Sequence, residues 1–272
     1  MNGVIFAETL RRKWRATLYW AIGIGVYAMY ILMVFGGDDS ARAQMADIMA
    51  TKLPGFLGTM FGIPDDVAFL MTNEGFFGFG YFTYASMLIA VWAVLAGLSI
   101  TANDEDSGVM NMLLALPVPR WRVLVERALA HMLLLVLILA GGYVGTAAAM
   151  QIFPALAMSH GALLAANVAL WLLVSAVLCI TALLGALIKR RSTAAALAGG
   201  FVAASYLLNT IAGAAKSGLG DALRSVSIYR YFNSAEVMRE GLTLGSTLVL
   251  ALVIVGALWF ATQSFQRRDI GG

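Results

Sequence analysis

NDEDSGVMNMLLALPVPRWRVLVERA, Asn103–Ala128, gathers charge between two long apolar runs. It opens on Asp104, Glu105 and Asp106, passes through an apolar stretch to Pro117-Val118-Pro119, and closes on Arg120, Arg122, Glu126 and Arg127. Val109, Met112, Leu113 and Leu116 share one helical face. The acids fall before or within the first turn, where the helix dipole favours negative charge, and Asp106 or Ser107 is placed to cap it. Pro117 stops the helix, because the residue before a proline is pushed out of the α region. Arg120 and Arg122 begin a second element that runs on into the next apolar run. The spacing therefore predicts a short helix, a sharp turn and a second helix entering a membrane. A short, partly apolar helix in water needs a partner, either a lipid surface or a groove on another protein. The acids count against lipid, since the inner leaflet is itself negative.

The rest of the chain supplies the membrane. Of 272 residues, 61% are hydrophobic and 12% charged, about half the charge of a soluble domain. The net charge of +3 comes without a basic stripe interleaved with aromatics, so nucleic acid is not an expected partner. Cys179 is the one cysteine, which excludes an intrachain disulfide and a cysteine-based metal site. His131 and His160 are too few for a histidine cluster.

About 20 apolar residues span a bilayer as a helix. Runs without Asp, Glu, Lys or Arg predict spans at about 16–36, 80–102, 128–150, 161–187, 193–215 and 244–263, with the fold-back between the third and fourth at 151–161, around Pro154. The first run is longer than a signal-peptide core, and no small-x-small site clearly follows it, so it reads as a retained helix. Six spans put both termini on one side. With that side inside, the inner segments hold 12 of the 18 basic residues and the outer ones 6. The positive-inside rule then makes the termini and the 103–127 loop cytoplasmic.

Phe6, Leu10 and Trp14 form one stripe, with Arg11, Arg12 and Arg15 off it. Residues 1–15 read either as an amphipathic helix flat on the inner surface or as a charged anchor for the first span. Residues 38–79 form a long outer loop, with short amphipathic helices expected against the leaflet. Residues 216–243 form a second, whose Tyr229, Tyr231 and Phe232 suit an interfacial aromatic belt.

The quoted stretch resembles the first cytoplasmic loop of type-2 ABC exporter (ABC-2 type) permeases. Asp104, Asp106, Gly108, Leu113, Leu114, Pro117, Pro119 and Arg120 stand at matching spacing. Tyr231-Phe232-Asn233-Ser234 resembles that family's aromatic-Asn-Pro element, with Ser for Pro. Phe265–Ile270 is similar to its tail of two basic residues and an acid. The resemblance covers nearly the whole chain and implies a fold and a function: an all-α integral membrane protein in a single transmembrane domain, with an N-terminal connecting helix and six spans. Such permeases pair, here as an expected homodimer, above two copies of a separate ATP-binding subunit. ATP and Mg belong to that subunit, and this chain binds no cofactor. The coupling residues implied are Asp104, Glu105, Asp106, Gly108, Leu113, Leu114, Pro117 and Arg120. Phe6 and Arg11 on the connecting helix join them, and Arg190 and Arg191 make a second, smaller contact. Cargo moves outward in most members, and a chain without a fused ATPase suggests a bacterial plasma membrane.

Each feature also has a plainer reading. The three acids fit a solvated first turn, and Arg120 fits an ordinary membrane-flanking cation. Ser86, Ser99, Tyr206 and Asn209 are candidates for a central substrate path, or make packing hydrogen bonds. Gly141 and Gly145 form a small-x-x-x-small pair for close helix packing, and the Ala/Gly-rich start of the fifth span suits either packing or a dimer seam. Gly213–Ser217 lacks the glycines of a phosphate-binding loop, so the chain does not hydrolyse ATP by that route. A secondary carrier would need acids at membrane depth, which the predicted spans lack. An intramembrane hydrolase would need cooperating groups, and His131 and His160 fall on opposite sides. A scaffold or sensor docking a cytoplasmic partner is the remaining alternative. The weakly polar interior suits a hydrophobic or amphipathic cargo.

Overall fold

The computed structural model describes residues 3–36, 47, 69, 72–101, 119–188, 190–214 and 218–266. Among them the regular structure is entirely helical: α1 (Val4–Gly36), α2 (Asn73–Ile100), α3 (Arg120–Ile152), α4 (His160–Leu187), α5 (Arg191–Ala214), α6 (Gly218–Val226), α7 (Ser234–Glu240) and α8 (Leu244–Gln266). Six of these, α1 to α5 and α8, are long and apolar enough to cross a membrane. The starts of α1, α3 and α5 and the ends of α2, α4 and α8 form one end of the bundle, called here the basic end.

α4 is the central post. It packs against α2, α3, α5, α7 and α8, and Leu170, Leu173, Val174, Val177 and Leu178 on it are fully buried. Its apolar residues continue round the helix, as a helix surrounded by others requires.

The first predicted boundary is absent. α1 is hydrogen-bonded without interruption from Val4 to Gly36, so the expected connecting segment and first span are one helix. No proline or glycine lies between Val4 and Ile22 to break it. At 33 residues it is about 50 Å long, against about 30 Å of hydrocarbon, so its basic first dozen residues extend beyond the span.

α1 runs parallel to α3, and their backbones touch. A Cβ on Gly25 would lie 2.7 Å from the Gly141 carbonyl oxygen, one on Gly141 would strike the Ala21 carbonyl, and one on Gly145 the Gly25 carbonyl. The Gly141/Gly145 pair therefore meets Ala21 and Gly25, the same small-x-x-x-small spacing on the neighbouring helix. It is an intrachain seam.

α2 begins at Asn73, seven residues ahead of the predicted span. The Thr72 hydroxyl accepts from the Gly75 amide at 3.1 Å and caps it. Phe77, Tyr81 and Phe82 are buried, with Phe77 stacked on Tyr81 at 4.6 Å. Aromatic burial extends the helix into what composition assigned to the outer loop. Gly78–Phe82 is a π-helical turn.

The second outer segment is also different from the expected surface belt. α6, a 3-10 turn at Ile228–Tyr231 and α7 form a re-entrant hairpin. The Ser227 hydroxyl donates to the Ser205 carbonyl at 2.6 Å, and the Ile228 amide donates to the Ser205 hydroxyl at 3.0 Å. Ser205 lies nine residues before the end of α5, a depth of about 14 Å. Tyr229, only 3% exposed, meets Tyr206 edge-to-face at 5.5 Å. Irregular backbone at membrane depth is tolerated only inside protein, and Ser205 and Ser227 satisfy it there. Asn233 caps α7 by accepting from the Glu236 amide. Ser234 follows at the first helical position, where proline is also favoured. As serine it donates to the Gly78 carbonyl at 2.9 Å, fastening the hairpin to the π turn of α2.

Ser227→Ala should lower the thermal midpoint in detergent by several degrees, since it strips partners from a buried turn at about 1–3 kcal/mol. Ser225→Ala, whose exposed hydroxyl bonds only within its own helix, should leave it unchanged.

Candidate functional site

The first three turns of α3 tie the basic end together. Pro119 is extended and precedes Arg120, the first helical residue. One turn in, Arg122 donates through Nε to Glu126 Oε1 at 2.7 Å. The same carboxylate accepts two backbone amides from the start of α1: Gly3 at 3.3 Å on Oε1 and Phe6 at 3.1 Å on Oε2. Amides at a helix start have no partner within the helix, and here a carboxylate 120 residues away in sequence supplies one. These bonds are charge-assisted and partly buried.

The adjacent face of α3 holds α2. Arg127 Nη1 donates to the Ile100 carbonyl at 3.0 Å, in the last turn of α2. His131, one turn on and 2% exposed, has Nδ1 2.8 Å from the Arg127 carbonyl and Nε2 3.2 Å from the Ser99 hydroxyl. The carbonyl can only accept, so Nδ1 carries the proton. The Ser99 hydroxyl also lies 2.7 Å from the Ala96 carbonyl, so its single proton has two acceptors within reach. On a further face, the Trp171 indole of α4 donates to the Met132 carbonyl at 3.0 Å.

Residues 102–118 join α2 to α3, and both of their anchor points are in this cluster. Asp104, Glu105, Asp106, Gly108, Leu113, Leu114 and Pro117 lie outside the described residues. Arg120 and Phe6 fall at the cluster. Arg11 is exposed and paired with Glu8 at 2.9 Å. Arg190 and Arg191 are exposed at the start of α5.

The four path candidates do not all stand at one level of the bundle. Ser86 and Ser99 stand 13 residues apart on α2, about 20 Å. Each hydroxyl bonds to a carbonyl of its own helix. Tyr206 and Asn209 face the hairpin: Tyr206 packs on Tyr229, and Asn209 Oδ1 accepts from Arg224 Nε at 3.0 Å. Other small polar residues are buried as well, among them Ser175, Thr181, Ser205 and Ser227.

Glu126 and Arg127 carry the cluster, and neither was a site candidate from sequence. The Arg122–Glu126 spacing of four was the available signal, but it reads as an ordinary intrahelical ion pair until α1 is placed against it.

Six membrane-length helices, with α2 and α3 locked where their connecting segment leaves the bundle, define a multi-pass membrane protein. The family model for ABC-2 family transporter proteins matches residues 4–270, and the chain belongs to that family. It is the permease component, not itself the catalyst. Among curated proteins, none matches the chain.

Proposed function

We propose that this chain is the membrane-spanning permease of an ATP-driven exporter, coupled to a separate ATPase. The observation that supports this best is the α3 cluster. The segment an ATPase would push, residues 102–118, is held at one end by Arg127 on the Ile100 carbonyl. At the other it continues into the helix whose Glu126 grips α1. Displacing that segment moves the basic ends of α1, α2 and α3 together.

The basic end faces the cytoplasm by the positive-inside rule, in the plasma membrane of a bacterium. Two ATP-binding subunits sit beneath a pair of permeases, and ATP and Mg bind there. The second permease is another copy of this chain. Gly199 and Gly200 of α5 meet nothing within 4 Å, and Ala196, Ala203 and Ala204 beside them are exposed, a small-residue face suited to close helix contact. At the opposite end, the α6–α7 hairpin is the closure, held by Ser205, Tyr206, Asn209 and the π turn of α2. Cargo is hydrophobic or amphipathic, in keeping with the weakly polar interior.

The test is uncoupling. Leu113→Asp, or Pro117→Gly combined with Arg120→Glu, should cut ATP-dependent export at least about tenfold, a loss of about 1.4 kcal/mol in coupling. The membrane fold, read by size-exclusion chromatography, should be intact. Full coupled transport in these variants would refute the assignment of the loop.

A further inference from the structure

We propose that the cavity between α7, the start of α4 and the start of α2, at the end of the bundle opposite the basic end, binds an amphipathic organic cation, with Glu74 as its counter-ion. This goes beyond the transport reading and holds whatever drives the chain.

The cavity measures about 490 Å³, within the range of small-molecule sites. Ala162 and Ala165 of α4 and Val237 and Met238 of α7 make its apolar wall. Val237 and Met238 are buried, and the two alanines pack against the core. The small side chains on α4 leave the space open. Phe69 lines it as well and adds an aromatic ring.

The three elements around the cavity are tied to one another. Asn73 Nδ2 donates to the Ala155 and Ala157 carbonyls at 3.0 and 3.1 Å, which joins the start of α2 to the turn ahead of α4. The Ser159 hydroxyl caps α4 by accepting from the Ala162 amide at 3.4 Å. Ser234 fastens α7 to α2. A site held in this way binds without first having to order its walls.

Two charged residues line the cavity, and they are not equivalent. Arg239 donates to Glu240 at 2.7 Å and lies 5.9 Å over the Phe69 ring, so its charge is already answered. Glu74 is partly buried, and no cation among the described residues pairs with it. Its Oε1 accepts from the Ser159 amide at 3.3 Å. That bond orients the carboxylate and does not neutralise it. Oε2 has no hydrogen-bond partner among the described residues. An unpaired acid on the wall of an apolar cavity selects a positive charge carried on an apolar body. An anion there would meet Glu74 as a like charge.

The test uses the full chain in phosphatidylcholine nanodiscs and equilibrium binding of tetraphenylphosphonium, with empty discs subtracted. The wild type should bind it saturably. E74Q, which keeps an acceptor for the Ser159 amide, should bind it about tenfold more weakly. E236Q removes an exposed acid of α7 that does not line the cavity and should bind as the wild type does. A162L, which fills the cavity, should lose binding while eluting normally on size exclusion. No saturable binding to the wild type, or an unchanged affinity in E74Q, would overturn the proposal. Equal losses in E74Q and E236Q would also overturn it, leaving only a diffuse acidic surface. Full affinity in A162L would place the cation outside this cavity.

Discussion

Gly145→Leu is expected to yield almost no monodisperse protein in mild detergent. A Cβ at that position would lie 2.7 Å from the Gly25 carbonyl carbon and 2.8 Å from its Cα, and would strike the carbonyl oxygen. The obstacle is backbone, so no rotamer change relieves it. Either α1 leaves α3 or both helices shift along their length. Overpacking against movable side chains costs about 1–3 kcal/mol, and against backbone on both sides the loss should exceed about 4 kcal/mol, comparable with the whole stability of many proteins. Gly141→Leu should behave alike, since its Cβ would lie 2.9 Å from the Ala21 Cα. Gly256→Leu on α8, where nothing lies within 4 Å, should purify normally. Fluorescence-detected size-exclusion chromatography of the three variants is the measurement. A normal profile for Gly145→Leu would mean that α1 and α3 are not packed backbone to backbone.

Glu126→Ala is expected to separate assembly from transport. The substitution leaves the Gly3 and Phe6 amides and the Arg122 guanidinium without their common acceptor. Charge-assisted bonds of this kind contribute about 1.5–3 kcal/mol. Loss of about 2 kcal/mol from the start of α1 should speed amide exchange over residues 4–10 by roughly 30-fold. The spans should fold, because the α1–α3 glycine seam is 15 residues further along. ATPase recruitment should persist, and ATP-driven export should fall about tenfold. Glu126→Asp should recover part of both effects, since a shorter carboxylate still accepts. Glu126→Gln should recover less, because it accepts without charge and sets an NH2 group facing Arg122. Unchanged amide exchange in Glu126→Ala would show that this carboxylate does not seat α1. Faster exchange with full export would show that the seat is structural and not part of the drive.

Much of the fold was legible because a bilayer imposes one rule on every span. The runs ending at Leu187 and beginning at Leu244 are bounded by charge or by turn residues, and the structure places helix ends there. The reading failed where tertiary contacts replaced that rule. Asn73–Phe79 looks like loop by its polar start and glycines, yet Thr72 capping and aromatic stacking make it helix. Residues 218–240 carry charges and were placed at the surface. What draws Tyr229 inward is Ser205, a hydroxyl on another helix whose relevance local pattern does not reveal. Of the two readings left open for residues 1–15, a helix flat on the membrane or a charged anchor for the first span, the unbroken helix from Val4 to Gly36 fits the second. For the candidate site, the quoted stretch contained the right region, but Glu126 in it was assigned no role. Its role depends on amides 120 positions earlier, a distance that no periodicity spans.

Coupling to a separate ATPase is tested most directly by mild-detergent purification of the tagged chain from its native host, with co-purifying proteins identified by mass. The expected result is a stoichiometric ATPase carrying a complete phosphate-binding loop, lost when Asp104–Asp106 or Leu113 is mutated and retained in Glu126→Ala. A clean permease with no ATPase, under conditions that preserve other such complexes, would contradict it and leave an ATPase-independent carrier or a scaffold.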